Sequence, residues 1–320
     1  MGRVIGYGCL AVMGVIAGGR GLVAQEPEMV TIGAWNIEWL GTPAMRDSRA
    51  RTTEQLGAIA AVAADSLDIE VLVLVEINTR SAEWATLKSM LAGRGYLFVE
   101  GAPRQQTVVI AYDSDEVSAV MTANPEPDVP TAFERADPAG GVCRTSNAKK
   151  PVFATLRAGS FDFTVVGVHF KSGRRPRTCS DDSFTSWVRG RQSAVLLEAV
   201  ARRQATGTVD SDVIIVGDFN GGFDDGSAWI LGRAGFRLLT EPGNRSSSSG
   251  TLSFRKGRWK STLDHIAIRS ATDHEWLARS TRYFPDVLGF TDAELEAYLE
   301  NYSDHALVIA EFRRGLSDDD

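Results

Sequence analysis

The segment Ile214–Asn220, IIVGDFN, joins an apolar strand directly to polar residues. Its apolar residues lead into Gly217, after which Asp218 and Asn220 flank Phe219. A carboxylate and an amide at a strand end are typical of a turn, and they are equally typical of an active site. The choice between a turn and a site depends on what stands at the ends of the other strands.

Eight further segments have the length and the Val-, Ile- and Phe-rich composition of strands. They are MVTIGAWNI, EVLVLVEI, YLFVEG, TVVIAYD, PVFATLRA, FDFTVVGVHF, LDHIAIRS and SDHALVIAEF. Helical spacing of apolar residues predicts helices in ARTTEQLGAIAAVAADS, SAEWATLKSMLAG, TSWVRGRQSAVLLEAVARRQ and TDAELEAYLENY. Because the strands are sometimes adjacent and sometimes separated by a helix, the pattern predicts mixed sheets layered with helices.

The composition is that of a globular protein. Of the 320 residues, 43% are hydrophobic and 23% are charged, and the net charge of −7 gives no global sign of a nucleic-acid partner. No internal repeat or composition shift divides the chain, so residues 25–320 are predicted to form a single domain. The segment NRSSSSGTLSFRKGRWK is the one low-complexity patch and is interpreted as a basic loop.

Residues 1–24 have the features of a signal peptide. Arg3 precedes an apolar segment from Val4 to Ala17, and Ala24 stands at a plausible cleavage position. The alternative is an uncleaved N-terminal anchor, although the apolar segment is short and glycine-rich for a membrane span. The sequence therefore predicts a secreted or periplasmic protein without membrane insertion.

The cysteines are consistent with export. Cys9 lies in the signal peptide, whereas Cys143 and Cys179 flank two strand segments joined by a turn at Gly159–Ser160. If these strands pair as a hairpin, the two cysteines lie opposite each other beyond its open end, and a disulfide between them is expected. The alternative is a pair of buried thiols.

Polar residues stand at six strand junctions, which predicts one shared cleft at a sheet edge. They are Asn36, Glu76, His169, Asp218 with Asn220, Asp264, and Asp304 with His305. These residue types are suited to phosphoester hydrolysis. Carboxylates such as Glu76 and Asp304 suit Mg²⁺ or Mn²⁺, with Ca²⁺ also possible, and a divalent ion neutralises phosphate oxygens.

The other junction residues have the chemistry that such a reaction requires. Asp218 can orient or deprotonate water, and the two histidines can donate to phosphate oxygens. Asp264 can hold one imidazole in a fixed orientation. Strand alternation directs His265 away from the Asp264 face, so His265 is interpreted as structural, and His274 as a surface residue.

The ordered motifs WNIEW, LVEI, VHFKS, VGDFN, LDHI and SDHALV resemble the endonuclease/exonuclease/phosphatase superfamily, over about residues 30 to 312. The resemblance implies a four-layered α/β sandwich, with two mixed β-sheets packed face to face and helices outside. It implies a metal site at Asn36, Glu76 and Asp304, and a water positioned by Asp218 and Asn220. His305, supported by Asp264, would contact the scissile phosphate, with His169 on its other side.

Two positions depart from the deoxyribonuclease-I-like pattern. Asn78 stands where those members have an arginine, and only Gln105 and Gln106 lie where an acidic partner of the first histidine is expected. The HFKS lysine, the later cysteine and VRGRQ are more similar to bacterial secreted members of the superfamily.

Two basic segments adjoin the predicted cleft. One follows the His169 strand and the other precedes Asp264; their candidate substrate-binding residues are Lys171, Arg174, Arg175, Arg191, Arg255, Lys256 and Arg258. Such runs are often solvated loops. Their positions favour a positive rim for a polyanion, with Phe254 and Trp259 able to stack on bases.

The sequence thus predicts a secreted, divalent-metal-dependent phosphodiesterase, an endonuclease acting on DNA or RNA. The alternatives are a sphingomyelinase-like lipid phosphodiesterase or phosphoinositide phosphatase, for which RYFPDVLGF is a candidate membrane-contact loop, and a non-catalytic polyanion-binding protein. A nucleic acid is the expected partner, no stable protein partner is implied, and the oligomeric state stays open.

Overall fold

A computed structural model describes residues 28–42, 45, 50–102, 106–123, 129–241, 252–256, 259–269, 271–286 and 289–315. The predicted signal peptide and two residues singled out above, Gln105 and Arg258, lie outside the described residues. In the described part of the chain no helix is long and apolar enough to cross a membrane.

Strands make up most of the regular structure. They are β1 (Met29–Leu40), β2 (Val71–Ile77), β3 (Tyr96–Glu100), β4 (Thr107–Asp113), β5 (Ser118–Ala123), β6 (Phe133–Ala136), β7 (Val142–Thr145), β8 (Val152–Ala158), β9 (Phe161–His169), β10 (Val213–Asp218), β11 (Phe236–Leu238), β12 (Phe254–Lys256), β13 (Trp259–Ser261), β14 (Asp264–Arg269), β15 (Arg282–Phe284) and β16 (Leu307–Arg313). The α-helices are α1 (Thr53–Ala61), α2 (Ala82–Ala92), α3 (Phe184–Ala205), α4 (Gly226–Arg233) and α5 (Asp292–Asn301).

Twelve of these strands form two six-stranded sheets. The first has the order β15-β16-β1-β2-β4-β3 and the second the order β11-β14-β10-β9-β8-β5. Both sheets are mixed: β1 is parallel to β2 and β9 is parallel to β10, whereas β16 and β14 run antiparallel to their neighbours. The prediction of mixed sheets is confirmed.

Three apolar clusters define the layers. One lies between the sheets and combines residues such as Ile32 and Val73 with Phe163 and Val216. A second packs α1 and α2 on the outer face of the first sheet, and a third packs α3 and α4 on the outer face of the second. Helix, sheet, sheet and helix therefore succeed one another, and the predicted four-layered α/β sandwich is confirmed.

Close contact between α3 and α4 fixes the loop that follows β9. A Cβ on Gly226 would stand 2.4 Å from the carbonyl oxygen of Ser186, so only glycine allows this approach. Beside it, Arg189 donates from Nε and Nη2 to the two carboxylate oxygens of Asp225, at 2.9 and 2.6 Å. The Nη1 atom of Arg189 donates to the carbonyl oxygen of Lys171 at 2.9 Å, which ties both helices to the end of β9.

The predicted disulfide is confirmed. Strands β8 and β9 pair as an antiparallel hairpin, with Val152 opposite Gly167. Cys143 on β7 is bonded to Cys179 in the loop between β9 and α3, and both cysteines are buried. The bond joins the β6–β7 hairpin to the chain that follows His169.

All nine predicted strands and four predicted helices are present, but several short elements were missed. They are α4 and the strands β5, β6, β7, β11, β12, β13 and β15. The loop prediction for residues 244–260 was wrong for part of that segment, because β12 and β13 pair there as a hairpin, with Phe254 opposite Ser261. Six of the seven missed strands have only three or four residues, which is too few positions for alternation to show; β5 has six residues and α4 has eight.

Candidate active site

The strand ends of both sheets meet at one edge of the sandwich. Asp218 on β10 stands opposite His169 on parallel β9 and opposite Asp264 on antiparallel β14. Three of the predicted site residues are therefore in register across the second sheet. The first sheet supplies Asn36 from β1 and Glu76 from β2, and the segment before β16 supplies Asp304 and His305.

The backbone is irregular where these side chains leave the first sheet. The pairing of β1 with β2 shifts register between Asn36 and Leu40, and that of β2 with β4 shifts between Leu74 and Ile77. The non-glycine residues with positive φ at this edge are Glu38, Trp39, Glu76, Gln106 and Asn220, with φ values of 36°, 55°, 64°, 58° and 52°. Bulges and left-handed residues re-aim side chains and concentrate at functional sites.

Asp218 is held by two amides. Its Oδ2 atom accepts from Asn36 Nδ2 and from Asn220 Nδ2, each at 3.0 Å, and its Oδ1 atom accepts from the Asn220 backbone N–H at 2.8 Å. Asn220 also donates to the carbonyl oxygen of Phe170 at 3.1 Å. Burial and the nearby Asp264 carboxylate raise the pKa of Asp218 well above its ordinary value. The carboxylate is thus rigidly placed and has the basicity of a proton acceptor.

Asp264 and His305 form a buried carboxylate–imidazole pair. His305 Nδ1 lies 2.7 Å from Asp264 Oδ2, which leaves Nε2 directed elsewhere. Burial alone would lower the pKa of His305, but the attraction of Asp264 outweighs it and raises that pKa well above the ordinary value. His305 is therefore a cationic donor at neutral pH. Trp35 Nε1 and the Tyr298 hydroxyl fix its backbone by donating to its carbonyl oxygen, at 3.1 and 2.7 Å.

His169 lies between two of the acids. Its Nε2 atom is 3.7 Å from Glu76 Oε1 and 3.8 Å from Asp218 Oδ2. Burial, with a further contribution from Lys149, lowers the pKa of His169 to about 3, so the ring is neutral at pH 7. Its buried Nδ1 has no hydrogen-bond partner among the described residues. The sequence offered no acidic partner for His169 near Gln105 and Gln106. The structure instead brings the cationic Lys149 near this ring, a residue that the sequence reasoning did not single out.

The remaining acids have the donor chemistry of a divalent-cation site. Burial raises the pKa of Glu76 to about 7, with the Asp304 carboxylate also raising it. Glu76 accepts hydrogen bonds from the Trp39 backbone N–H at 3.0 Å and from Gln106 Nε2 at 3.3 Å. Hard oxygen donors gathered in a buried, acid-rich position fit Mg²⁺ or Mn²⁺, so Asn36, Glu76 and Asp304 are compatible with the predicted metal site.

Two other side-chain groups have the spacing of metal ligands but different chemistry. Asp218, Asp264 and His305 lie close enough to share an ion. In this group, His305 Nδ1 and Asp264 Oδ2 are bonded to each other at 2.7 Å, so these two atoms are already paired. Asp137, Cys143 and Cys179 form the second group, and there the disulfide leaves no thiolate.

Glu38 and Gln106 are site residues that the sequence reasoning did not assign. Glu38 is buried, and its side chain accepts from Lys256 Nζ at 2.6 Å. The same ammonium lies 3.4 Å from Asp304 Oδ2. Strand alternation does not give the direction of the Glu38 side chain, because β1 shifts register between Asn36 and Leu40 and Glu38 has a φ of 36°.

The predicted substrate-binding cations differ in their surroundings. Lys171 Nζ donates to the carbonyl oxygens of Ser172 and Arg174, at 2.9 and 2.8 Å, and burial lowers its pKa to about 8. Arg175 is bonded to the Ser180 carbonyl oxygen at 2.6 Å and to the Asp182 carboxylate. Both side chains thus stabilise their own loop. Arg174, Arg175 and Arg191 are all exposed.

The second basic segment lies directly against the site. Arg255 is partly buried, and its backbone N–H donates to the Asp304 carbonyl oxygen at 3.0 Å. Phe254 packs on the His305 ring with 5.0 Å between ring centroids. These contacts join β12 to the segment that carries Asp304 and His305.

The two other histidines lie as their sequence context indicates. His265 is fully buried, with Nε2 2.9 Å from the Gly221 carbonyl oxygen and Nδ1 2.6 Å from the Thr240 hydroxyl. A carbonyl oxygen only accepts, so Nε2 carries the proton and Nδ1 accepts from Thr240. His274 is exposed.

Solved structures share this fold. The human nocturnin catalytic domain with a bound sulfate anion matches with a TM-score of 0.58 and 15% identity, covering 89% of this chain and 94% of that one. TDP2 from D. rerio, complexed with a single-strand DNA product, matches with a TM-score of 0.57 and 17% identity, covering 89% and 98%. The mannosyl-6-phosphatase Bt3783 of Bacteroides thetaiotaomicron matches with a TM-score of 0.56 and 14% identity, covering 88% and 99%.

The sequence comparisons agree with the fold. No curated protein matches the chain. The sequence model of the Endonuclease/Exonuclease/phosphatase family matches residues 33–305, which include every residue of the candidate site. The chain therefore belongs to the endonuclease/exonuclease/phosphatase family.

Proposed function

We propose that the protein is a secreted, divalent-metal-dependent phosphodiesterase, an endonuclease that hydrolyses DNA or RNA by in-line attack of water. Members of its family are phosphoesterase hydrolases that typically use a divalent metal ion. The observation that carries the proposal is the meeting of two held groups: Asp218, bonded by the amides of Asn36 and Asn220, and His305, bonded by Asp264, with their side-chain atoms within 4.8 Å. A proton acceptor and a proton donor placed together are what acid–base chemistry on a phosphate requires.

Asp218 prepares the nucleophile. Asn36 and Asn220 fix the carboxylate with three hydrogen bonds, so its free lone pairs point in a set direction. Its raised pKa makes it a better proton acceptor than an exposed aspartate. Water bound to Asp218 is thereby oriented and loses its proton as it attacks phosphorus.

His305 and His169 stabilise the phosphoryl oxygens. Asp264 holds the protonated His305 ring by its Nδ1 atom, so Nε2–H donates to an oxygen on which charge develops. His169 is neutral, and a proton on its Nε2 atom would let it donate from the β9 side. The two rings differ because Asp264 is bonded to His305 at 2.7 Å and raises its pKa, whereas burial lowers the pKa of His169.

A divalent ion held by Glu76 and Asp304 with Asn36 would supply positive charge to a phosphate oxygen. The burial of these side chains excludes water around the reacting group, which strengthens each electrostatic interaction.

A substrate panel tests the proposal. The purified protein is incubated with plasmid DNA, RNA, sphingomyelin vesicles and a phosphoinositide, each with Mg²⁺ or with a chelator. Metal-dependent loss of plasmid or RNA is expected. His305→Ala should abolish it with the fold intact, whereas the exposed His274→Ala serves as the matched control. Cleavage of lipid alone would refute the nuclease, and cleavage of nothing would favour the polyanion-binding protein.

A lipid phosphodiesterase is the second candidate, because an apolar cavity adjoins the site. The cavity has a volume of about 390 Å³, and its walls include Trp35, Phe284, Phe290, Tyr298 and Tyr302. Trp35 and Tyr298 also hold the His305 carbonyl oxygen, so the cavity lies directly behind the proposed catalytic histidine. Three of its residues, Phe284, Pro285 and Phe290, come from RYFPDVLGF, the segment that was the candidate membrane-contact loop.

The lipid phosphodiesterase would need this cavity for its substrate, whereas the endonuclease would not. Phe290→Ala removes apolar surface at its wall without touching the predicted catalytic groups. A lipid phosphodiesterase would lose turnover of vesicles and keep that of a soluble phosphodiester, whereas an endonuclease would cleave plasmid at an unchanged rate.

A further inference from the structure

The ammonium of Lys256 lies among the acids of the candidate site. Its Nζ atom is 2.6 Å from Glu38 Oε1 and 3.4 Å from Asp304 Oδ2. The two carboxylates come from different parts of the sheet, and their side chains are only 8% and 12% exposed. A cation between two nearly buried carboxylates stands where a second divalent ion would find its oxygen ligands.

The backbone, rather than a flexible side chain alone, brings Lys256 to this position. The Arg255 N–H donates to the Asp304 carbonyl oxygen at 3.0 Å, and the Ala306 N–H donates to the Ser253 carbonyl oxygen at 2.6 Å. Phe254 forms an isolated β-bridge with His305. The β12–β13 hairpin is thus paired to the segment that carries Asp304 and His305, and this pairing places the backbone of Lys256 beside them, with its side chain 55% exposed.

Glu38 is likewise set in place. It lies in the irregular part of β1 with a φ of 36°, and its backbone N–H donates to Asn36 Oδ1 at 3.0 Å. Arg51 donates from Nη1 to the Glu38 carbonyl oxygen at 3.2 Å and from Nη2 to that of Tyr302 at 2.7 Å. The acid and its ammonium partner therefore both belong to ordered structure.

We propose that Lys256 is a built-in second cation of the site, so that the protein binds one divalent ion per chain rather than two. The inference rests on the proposed metal-dependent function. The ammonium neutralises Glu38 and Asp304 and supplies positive charge beside them. Without it, Glu38 and Asp304 form an acidic pair that takes up another divalent ion.

Counting bound Mn²⁺ tests this assignment without reference to turnover. Titration calorimetry and EPR should show one ion per chain in the wild-type protein and two in Lys256→Met, with an exchange-coupled EPR spectrum in the variant. Lys256→Arg keeps the positive charge and should bind one. Lys260→Met, an exposed change on β13 of the same hairpin, should also bind one.

A double variant identifies the added ligand. Glu38→Gln in the Lys256→Met background should return the count to one, since the second ion loses its carboxylate. Two ions in the wild-type protein, or one in a folded Lys256→Met, would overturn the assignment. Tighter binding of a single ion by Lys256→Met would overturn it as well, because it would mean that Lys256 only competes with the first ion.

The outcomes also separate this inference from the proposed function. A wild-type protein that binds no Mn²⁺ would refute both the proposed metal-dependent function and the assignment of Lys256 as a second cation. One ion in the wild-type protein and one in Lys256→Met, with metal-dependent cleavage intact, would remove the inference alone. Circular dichroism checks the fold of each variant.

Discussion

Asp264 and Asp218 are paired across β14 and β10, yet the two carboxylates have different partners. Asp264 accepts from the His305 imidazole, whereas Asp218 accepts from the amides of Asn36 and Asn220. Asp264 is bonded to an imidazole, whereas burial and the nearby Asp264 carboxylate raise the pKa of Asp218. Neighbouring acids are thus divided into an orienting group and a proton acceptor.

This division predicts the effect of Asp264→Asn. The change removes the carboxylate that holds His305 protonated and oriented, so phosphodiester turnover should fall by about 10²- to 10⁴-fold, mainly in kcat. The measurement is kcat and KM on the preferred substrate. Asp65→Asn, at a surface ion pair with Arg94, is the control and should leave both unchanged. Wild-type kcat in Asp264→Asn would contradict the pairing role.

Substitutions of Asn220 can separate the effect of its backbone conformation on stability from the effect of its side chain on turnover. Its φ is 52°, a conformation that costs alanine about 1 kcal/mol and glycine nothing. Asn220→Ala should therefore unfold more readily than Asn220→Gly in urea. Both variants lose the amide that binds Asp218, so both should lose turnover to the same extent. Retained turnover in either variant would show that the amide does not position the base.

The disulfide between Cys143 and Cys179 closes a loop with a sequence separation of 36 residues. The chain-entropy relation gives such a loop about 4 kcal/mol of stabilisation of the folded state. Cys143→Ala with Cys179→Ala should lower the free energy of unfolding by up to that amount, measured by urea denaturation. Wild-type protein under reducing conditions should lose a similar amount; equal stability in both redox states would contradict the prediction.

His265 makes stability depend on pH. Burial lowers its pKa from 6.5 to about 4, so between these values the unfolded chain takes up a proton that the folded chain does not. By linkage, the free energy of unfolding keeps its full value above pH 6.5 and decreases as the pH falls toward 4. The total decrease due to His265 is about 3 kcal/mol. His265→Gln should flatten the dependence of unfolding free energy on pH in this window. An unchanged slope would show that the ring is not buried and neutral.

The central site residues were accessible from the sequence because each follows or precedes a long apolar strand. Asp218, His169 and Asp264 lie in register for that reason, and parallel strand ends meet at one edge. The hairpin at Gly159–Ser160 likewise follows from two flanking strands, and it locates the disulfide.

The sequence predicted Lys256 near the cleft, but its contacts with the acids and the position of Glu38 were beyond local reasoning for physical causes. The direction of Glu38 depends on a register shift in β1, and such a bulge is not written in residue type. Lys256 faces the acids because β12 pairs with a segment almost fifty residues later, near His305. The contacts of the flexible Lys171 side chain were likewise not predictable from the sequence. Its ammonium donates hydrogen bonds to nearby carbonyl oxygens of its own loop.

The pairing of β1 with β16 brings distant parts of the candidate site together. Asn36 lies on β1, and Asp304 and His305 immediately precede β16. In the first sheet, β16 lies between β15 and β1. The candidate site is therefore complete only once β16 has paired with β1, because the side chains that this pairing joins lie far apart in the sequence.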